Sequence, residues 1–141
     1  MILVIGGYAS GKCVWARSRG FGEPVEAVSF AEALRGYADG SGKECPWEGA
    51  ALLHVHELAH DQELSHNVDQ LAEALSKAGL VTTTEVGCGI VPLDAQQRAW
   101  RERAGRLNEA LAARADTVVR MVCGIPTVLK GEGAPDGGKR G

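Results

Sequence analysis

The chain has 141 residues, of which 45% are hydrophobic and 23% charged, as expected of one globular domain. Fifteen Lys and Arg residues against eighteen Asp and Glu give a net charge of −3. This balance argues against nucleic-acid binding by bulk charge and against a polybasic membrane anchor. No apolar run approaches the ~20 residues of a membrane-spanning helix, and Met1–Ile5 carries no basic leader. We therefore expect a cytoplasmic protein without a membrane span.

Strand and helix patterns alternate along the chain. A wholly apolar run predicts a strand at Ile2–Ile5, and short runs of apolar and β-branched residues predict strands at Ala50–Val55, Leu80–Thr84 and Thr117–Cys123. Apolar residues at helical spacing predict helices at Lys12–Arg19, Val25–Tyr37, Asn67–Ala78 and Asp94–Ala115, the last with Asp94 as its N-cap. This alternation predicts an α/β domain over residues 1–130 with a parallel sheet flanked by helices. The glycine-rich, charged residues 131–141 are predicted to be disordered.

A glycine-rich loop follows the first predicted strand and opens the first helix. It runs Gly6, Gly7, Tyr8, Ala9, Ser10, Gly11, Lys12 and Cys13, and it fits the phosphate-loop pattern GxxxxGK[ST] except at the last position. In such loops backbone N–H groups converge on phosphate oxygens and the lysine reaches the outer phosphates, so the domain is predicted to be a P-loop NTPase-like fold that binds ATP or GTP. Cys13 places sulfur where the Mg²⁺-binding hydroxyl normally stands, which predicts a weakened Mg²⁺ site.

The four histidines of the chain lie within thirteen residues, at positions 54, 56, 60 and 66. The stretch from His56 to His60 matches HExxH, in which two histidines one helical turn apart bind zinc and the glutamate acts as general base. The motif begins directly after a predicted strand, and its third ligand is not evident. Zinc at His56 and His60 is therefore an alternative to solvated histidines on a loop.

A long string in the second half of the chain carries a family resemblance. It runs from Thr84-Glu85-Val86-Gly87-Cys88-Gly89-Ile90-Val91-Pro92, through Gly105-Arg106-Leu107-Asn108-Glu109, to Gly124-Ile125-Pro126-Thr127. With the glycine-rich loop, it resembles the adenosylcobinamide kinase / adenosylcobinamide-phosphate guanylyltransferase family. The resemblance implies a homo-oligomeric protein of cobalamin (vitamin B12) assembly. A nucleoside triphosphate would phosphorylate adenosylcobinamide, and GMP would then pass from GTP to that phosphate through a guanylylated histidine. It also implies a catalytic role for Lys12 and for Glu85. The charge of Glu85 at the end of a predicted strand beside the loop could serve Mg²⁺ or substrate, and the alternative is a cap or an ion pair within the sheet.

The chain departs from the family pattern at several chemistry-bearing positions. The family segment with an HR…RP…W pattern, which holds the guanylylated histidine, is absent between Gly22 and Glu23, so the guanylyltransferase step is predicted to be lost. His54 stands where the family strand ends in an acidic residue that serves the nucleotide or Mg²⁺, and Cys13 stands at the other family position on the Mg²⁺ side. Thr84 replaces a family asparagine. Three functions stay open: an enzyme retaining the kinase step, a degenerate nucleotide-binding relative or partner subunit, and a metal-binding protein using His54, His56 and His60.

Overall fold

The computed structural model describes residues 1–85 and 94–131, and it contains a six-stranded sheet. In chain order the strands are β1 (Ile2–Gly6), β2 (Val25–Glu26), β3 (Ala51–Leu53), β4 (Leu80–Thr84), β5 (Thr117–Val122) and β6 (Ile125–Lys130). They lie in the order β2-β3-β4-β1-β5-β6; the first five are parallel, and β6 pairs antiparallel with β5. The predicted α/β class with a mainly parallel sheet flanked by helices is confirmed.

The helices connect the strands along the chain. They are α1 (Lys12–Arg17), α2 (Ala31–Asp39), α3 (Gln62–Ser65), α4 (Val68–Leu75) and α5 (Ala95–Arg114), with 3₁₀ segments at Ala27–Phe30 and Val55–His60. The predicted N-cap of α5 is confirmed, since Asp94 Oδ1 accepts from the Gln97 N–H at 2.7 Å. In the described ranges, no helix is both long enough and apolar enough to cross a bilayer.

Alternate residues of β1 point into two separate hydrophobic clusters, as expected of a strand in the middle of a sheet. Leu3 packs with side chains of α2, α4 and α5 in the larger cluster. Ile2 and Val4 pack in a smaller cluster with Ala16 of α1. Of the described helices, α1 alone contributes to the smaller cluster, so this face of the sheet has the thinner helical cover.

The structure corrects two parts of the sequence-based prediction. The helix predicted over Val25–Tyr37 is wrong in its first half, because Val25 and Glu26 pair with β3 as an edge strand and the α-helix begins at Ala31. Residues 125–130 were not predicted as a strand, yet they return antiparallel along β5. Residues 86–93, which contain most of the glutamate-glycine string, and the predicted disordered tail from 132 onward lie outside the described residues.

Candidate functional site

The strand register gathers the predicted site residues at one edge of the sheet. Gly6, the last residue of β1, aligns with Thr84 of β4. Glu26 at the end of β2 aligns with Leu53, directly before His54. Because the carboxyl ends of parallel strands share one edge, the glycine-rich loop meets Glu26 and His54 there, in the usual position of ligand sites in open α/β sheets.

An open cavity of about 570 Å³ lies at this edge. Its wall consists of loop residues together with side chains that follow β2, β3 and β4: Tyr8, Ala9, Ser10, Gly11, Lys12, Cys13, Val14, Glu26, His54, His56, Glu57 and Thr84. The cavity therefore joins most of the predicted nucleotide-binding residues. It adds Glu26, which the sequence did not single out, and Glu57, the glutamate of the HExxH motif.

The loop is held in a tight conformation by its neighbours. Gly11 has φ +94°, and a Cβ atom there would lie 3.1 Å from the Cα of Gly124, so both the backbone angle and the close approach require glycine. The Gly124 N–H donates to the Ser10 carbonyl at 2.9 Å. Ala9 also has a positive φ, of 56°. The β5–β6 turn thus supports the loop from below.

Lys12 is folded into the loop that precedes it. Its side chain is only 5% exposed, and its Nζ donates to the Gly7 carbonyl at 2.8 Å. Burial lowers the pKa of Lys12, while the charges of Cys13 and Glu85 oppose this shift. A buried ammonium with one neutral hydrogen-bond acceptor is poorly compensated, and a bound phosphate would supply the missing negative charge.

Cys13, His54 and Glu26 form a continuous chain of contacts beside Lys12. The Cys13 Sγ lies 3.6 Å from His54 Nε2, and His54 Nδ1 lies 3.0 Å from Glu26 Oε1. His54 occupies the left-handed region with φ 59°, and its backbone N–H donates to Thr82 Oγ1 at 2.9 Å. The histidine is therefore fixed at its ring and at its backbone.

This arrangement does not fit direct Mg²⁺ ligation by the two residues at the expected positions. Mg²⁺ prefers hard oxygen ligands in octahedral geometry, whereas Cys13 and His54 offer sulfur and nitrogen that contact each other. Within the ranges described, no group of three or more His, Cys, Asp or Glu side chains is placed to hold a metal ion.

The zinc site that HExxH raised as an alternative does not have its helical geometry in the described structure. The motif lies in a 3₁₀ segment, Val55–His60, where about three residues complete a turn, so residues four apart do not share a face. His56 is buried and accepts from the Thr84 N–H at 3.3 Å. His60 instead stacks on Trp100, with ring centroids 4.5 Å apart.

Glu85, predicted to be catalytic, is engaged by a cation at the end of β4. Its two carboxylate oxygens accept from Arg120 Nε at 2.9 Å and Nη2 at 3.3 Å. Nearby, Asn108 of α5 accepts from Thr83 Oγ1 at 2.7 Å and donates to the Thr84 carbonyl at 3.1 Å, which ties the long helix to the same strand end. A catalytic role for Glu85 stays a prediction.

Comparison with known proteins decides the family. The family model described as "Cobinamide kinase / cobinamide phosphate guanyltransferase" matches residues 46–129. The chain belongs to this family. It is 40% identical to the bifunctional adenosylcobalamin biosynthesis protein CobU of Salmonella typhimurium over 84 residues. This match covers 60% of this chain and 44% of the relative.

Two further relatives show the same partial coverage. The bifunctional adenosylcobalamin biosynthesis protein CobP of Pseudomonas aeruginosa is 35% identical over 74 residues, 50% of this chain and 43% of the relative. The Escherichia coli protein CobU is 36% identical over 75 residues, 51% of this chain and 41% of the relative. The matches thus span less than half the length of each relative. The family model covers the chain from β3 through α3, α4, β4, α5 and β5 to all but the last residue of β6, but not the glycine-rich loop, whose assignment rests on its motif and geometry.

Proposed function

We propose that this cobinamide kinase-family chain binds the triphosphate of ATP or GTP in the loop Gly6–Cys13. The observation that carries the proposal is Lys12, whose buried ammonium lies under a loop at the carboxyl end of the central strand β1. Tyr8 and Ala9 are exposed and line the same cavity, where backbone N–H groups of the loop can meet phosphate oxygens. A phosphate anion bound there would compensate the positive charge of Lys12.

The reaction we infer is the nucleotide-dependent phosphorylation of adenosylcobinamide, in a cytoplasmic step of cobalamin assembly. Phosphoryl transfer depends mainly on positioning and on charge stabilisation, which the loop and Lys12 supply. The guanylyltransferase step is proposed to be absent. Helix α1 ends at Arg17 and β2 begins at Val25, and the first histidine of the chain is His54, so residues 18–24 contain no histidine that could carry GMP.

A second candidate is a nucleotide-binding relative that does not turn its nucleotide over, acting as a partner subunit. The contact between Cys13 and His54 favours it, because two soft groups stand where Mg²⁺ would be held. The two candidates share nucleotide binding and differ in turnover, so they can be separated by assay.

The test is calorimetric titration of ATP and GTP into the full chain, with and without Mg²⁺. The Lys12→Ala variant should lose binding, whereas Lys43→Ala, which changes an exposed lysine far along the chain, should bind like the wild type. Lys12-dependent binding followed by phosphorylation of adenosylcobinamide supports the kinase. Binding without turnover supports the second candidate, and a folded protein that binds neither nucleotide contradicts both.

We also propose that the chain forms a homo-oligomer through the β5–β6 edge. Three apolar side chains of β6 are exposed there, with Ile125 65%, Leu129 60% and Val128 37% accessible. An apolar sheet edge of this kind is commonly covered by a partner. Sedimentation equilibrium measures the state, and the double change of Ile125 and Leu129 to Lys should shift it to the monomer.

A further inference from the structure

Cys13 contacts His54, and His54 contacts Glu26, which is the sequence of contacts found in sites that activate a cysteine thiol. The three side chains come from α1, the residue after β3, and the end of β2, and they meet within the cavity at the sheet edge. Sγ lies 3.6 Å from Nε2, and Nδ1 lies 3.0 and 3.2 Å from the two oxygens of Glu26. A nucleophile, a base and a group that orients the base are the parts that nucleophilic catalysis by cysteine requires.

Hydrogen-bond chemistry fixes the direction of the proton in this chain. The ionised carboxylate of Glu26 can only accept, so His54 Nδ1 carries hydrogen and donates to it. In the neutral imidazole the lone pair then lies on Nε2, which faces the thiol of Cys13. The thiol can pass its proton to Nε2, and the resulting imidazolium remains stabilised by Glu26 on its other side.

We propose that Cys13 is a modification site for small-molecule disulfides such as oxidised glutathione. His54 Nε2 takes the proton from Sγ, and the thiolate attacks one sulfur of the disulfide. The new S–S bond forms as the old one breaks, and the departing thiolate takes the proton from His54. Cys13 is thereby oxidised to a mixed disulfide, while the other half of the reagent is reduced to a free thiol.

The position of Cys13 gives this modification a consequence for ligand binding. Cys13 is partly exposed and lines the same cavity as Lys12 and the glycine-rich loop. A tripeptide attached at Sγ would occupy the space in front of the loop and exclude a triphosphate, so oxidation would close the proposed nucleotide site and reduction would reopen it. Without nucleotide, the reactivity of the thiol rests on His54 and Glu26 alone, so the thiol site does not require that the loop bind a triphosphate.

The experiment measures the rate at which each cysteine of the reduced full chain reacts with oxidised glutathione, by peptide mass spectrometry at pH 7.5. Cys123, which is exposed at the β5–β6 turn, is the internal reference. We expect Cys13 to react about tenfold faster than Cys123 because it has an adjacent base. His54→Asn removes the base while keeping a residue that tolerates φ 59°, and it should bring the rate at Cys13 down to about that of Cys123.

Two further variants and a ligand separate the possible explanations. Glu26→Gln leaves His54 in place but removes the charge that stabilises its imidazolium, and it should slow the reaction of Cys13 with oxidised glutathione by about threefold. If His54→Asn does not fold, Glu26→Gln takes its place as the test. His66→Asn changes an exposed histidine outside the cavity and should leave the rate unaltered. Equal rates at Cys13 and Cys123 in the folded wild type, or a rate at Cys13 that neither variant lowers, would overturn the proposal. Fast reaction that ATP does not suppress would support the thiol site and count against the proposed nucleotide site.

Discussion

Replacing Lys12 with methionine should have opposite effects on phosphate binding and on the fold. Methionine keeps the unbranched apolar stem of lysine and removes only the charged end. Lys12 as a whole is 5% exposed, and the one described hydrogen bond of its ammonium goes to the Gly7 carbonyl. The Lys12→Met variant therefore isolates the contribution of the ammonium.

The free energy of unfolding should stay level or rise. Losing a hydrogen bond from a charged group costs about 1.5–3 kcal/mol, although Gly7 is exposed and its carbonyl can bond to water instead. Against this, desolvating an ammonium costs several kcal/mol, which the nearby Glu85 offsets only in part. We expect a net gain between zero and about 1 kcal/mol, from the difference of these two terms.

The pH dependence has a definite sign. Burial places the folded-state pKa of Lys12 below its unfolded value of 10.5. Between these two values the unfolded chain binds more protons, so the wild type gains stability as pH rises through that window. The Lys12→Met variant lacks this group, and its advantage over the wild type should shrink as the pH approaches 10.5.

Binding should change in the other direction, because a phosphate loses its charged donor. Removing one charge-assisted hydrogen bond of about 1.5–3 kcal/mol weakens nucleotide binding by about 10- to 150-fold. Urea denaturation at pH 7 and pH 9.5 and calorimetry with ATP measure both effects, with Lys43→Met as the control for an exposed lysine. A variant that binds ATP as tightly as the wild type, or that is destabilised by more than about 2 kcal/mol, would refute the reasoning.

Three further changes test neighbouring parts of the site. Cys13→Ser restores the hydroxyl of the phosphate-loop pattern, so Mg²⁺ should tighten ATP binding about tenfold more than in the wild type. Titrations in which the ratio of the ATP dissociation constants without and with Mg²⁺ is the same for both proteins would contradict this. Burial lowers the pKa of His56 in the folded protein below its ordinary value of 6.5. As the pH drops below 6.5, His56 is therefore protonated in the unfolded chain before it is in the folded one, and the free energy of unfolding falls. His56→Asn keeps an acceptor for the Thr84 N–H, and its urea midpoint should fall less between pH 7 and pH 5 than that of the wild type or of His66→Asn. Ala9→Gly relieves a φ of 56° and should raise the free energy of unfolding by about 0.5–1 kcal/mol, and a loss of stability in urea would show that the strain argument is wrong.

The parts of the fold that local sequence determines were predicted well. β1 is a short apolar run and β4 a short run rich in β-branched residues, and the structure places them as neighbouring strands inside the sheet. The start of α5 was predicted because an Asp at the N-cap has a specific hydrogen-bonding role that can be read from sequence. The glycine-rich loop belongs to the same class, since its pattern and its place between a strand and a helix are both local.

The edge strands escaped prediction for physical reasons. β2 consists of Val25 and Glu26 alone, both exposed, so it is too short to show an alternation and its residues fit the following helical pattern equally well. β6 contains Pro126, which usually argues against a strand and is tolerated here because β6 lies at the sheet edge. The sequence signal for this hairpin was Gly124 alone. In the structure Cys123 and Gly124 form a two-residue loop in which both have positive φ, as in a type I′ turn.

The site residues that sequence reasoning missed are those that depend on strand pairing. Glu26 has no special sequence context, and it becomes part of the site only because β2 pairs with β3 and brings it to His54. His54 itself was predicted as a nucleotide-side residue, yet its contact with Cys13 joins positions 41 apart in the chain. Such contacts follow from topology rather than from spacing, whereas the HExxH spacing suggested a helical site that the 3₁₀ conformation does not form.

The energetic costs of the conformations around the cavity bear on whether the loop still binds phosphate or is a degenerate site that has lost its ligand. Ala9 and His54 hold left-handed backbone angles, which cost an ordinary residue about 1–2 kcal/mol each, and Lys12 holds a buried charge. All three line one cavity, whereas a purely structural strand-to-helix turn needs none of them. Strain concentrated in this way is typical of sites arranged for a ligand, and an anion at the loop would offset the largest of these costs by pairing with Lys12. The geometry of the loop therefore favours retained phosphate binding, even though the groups at Cys13 and His54 no longer suit Mg²⁺.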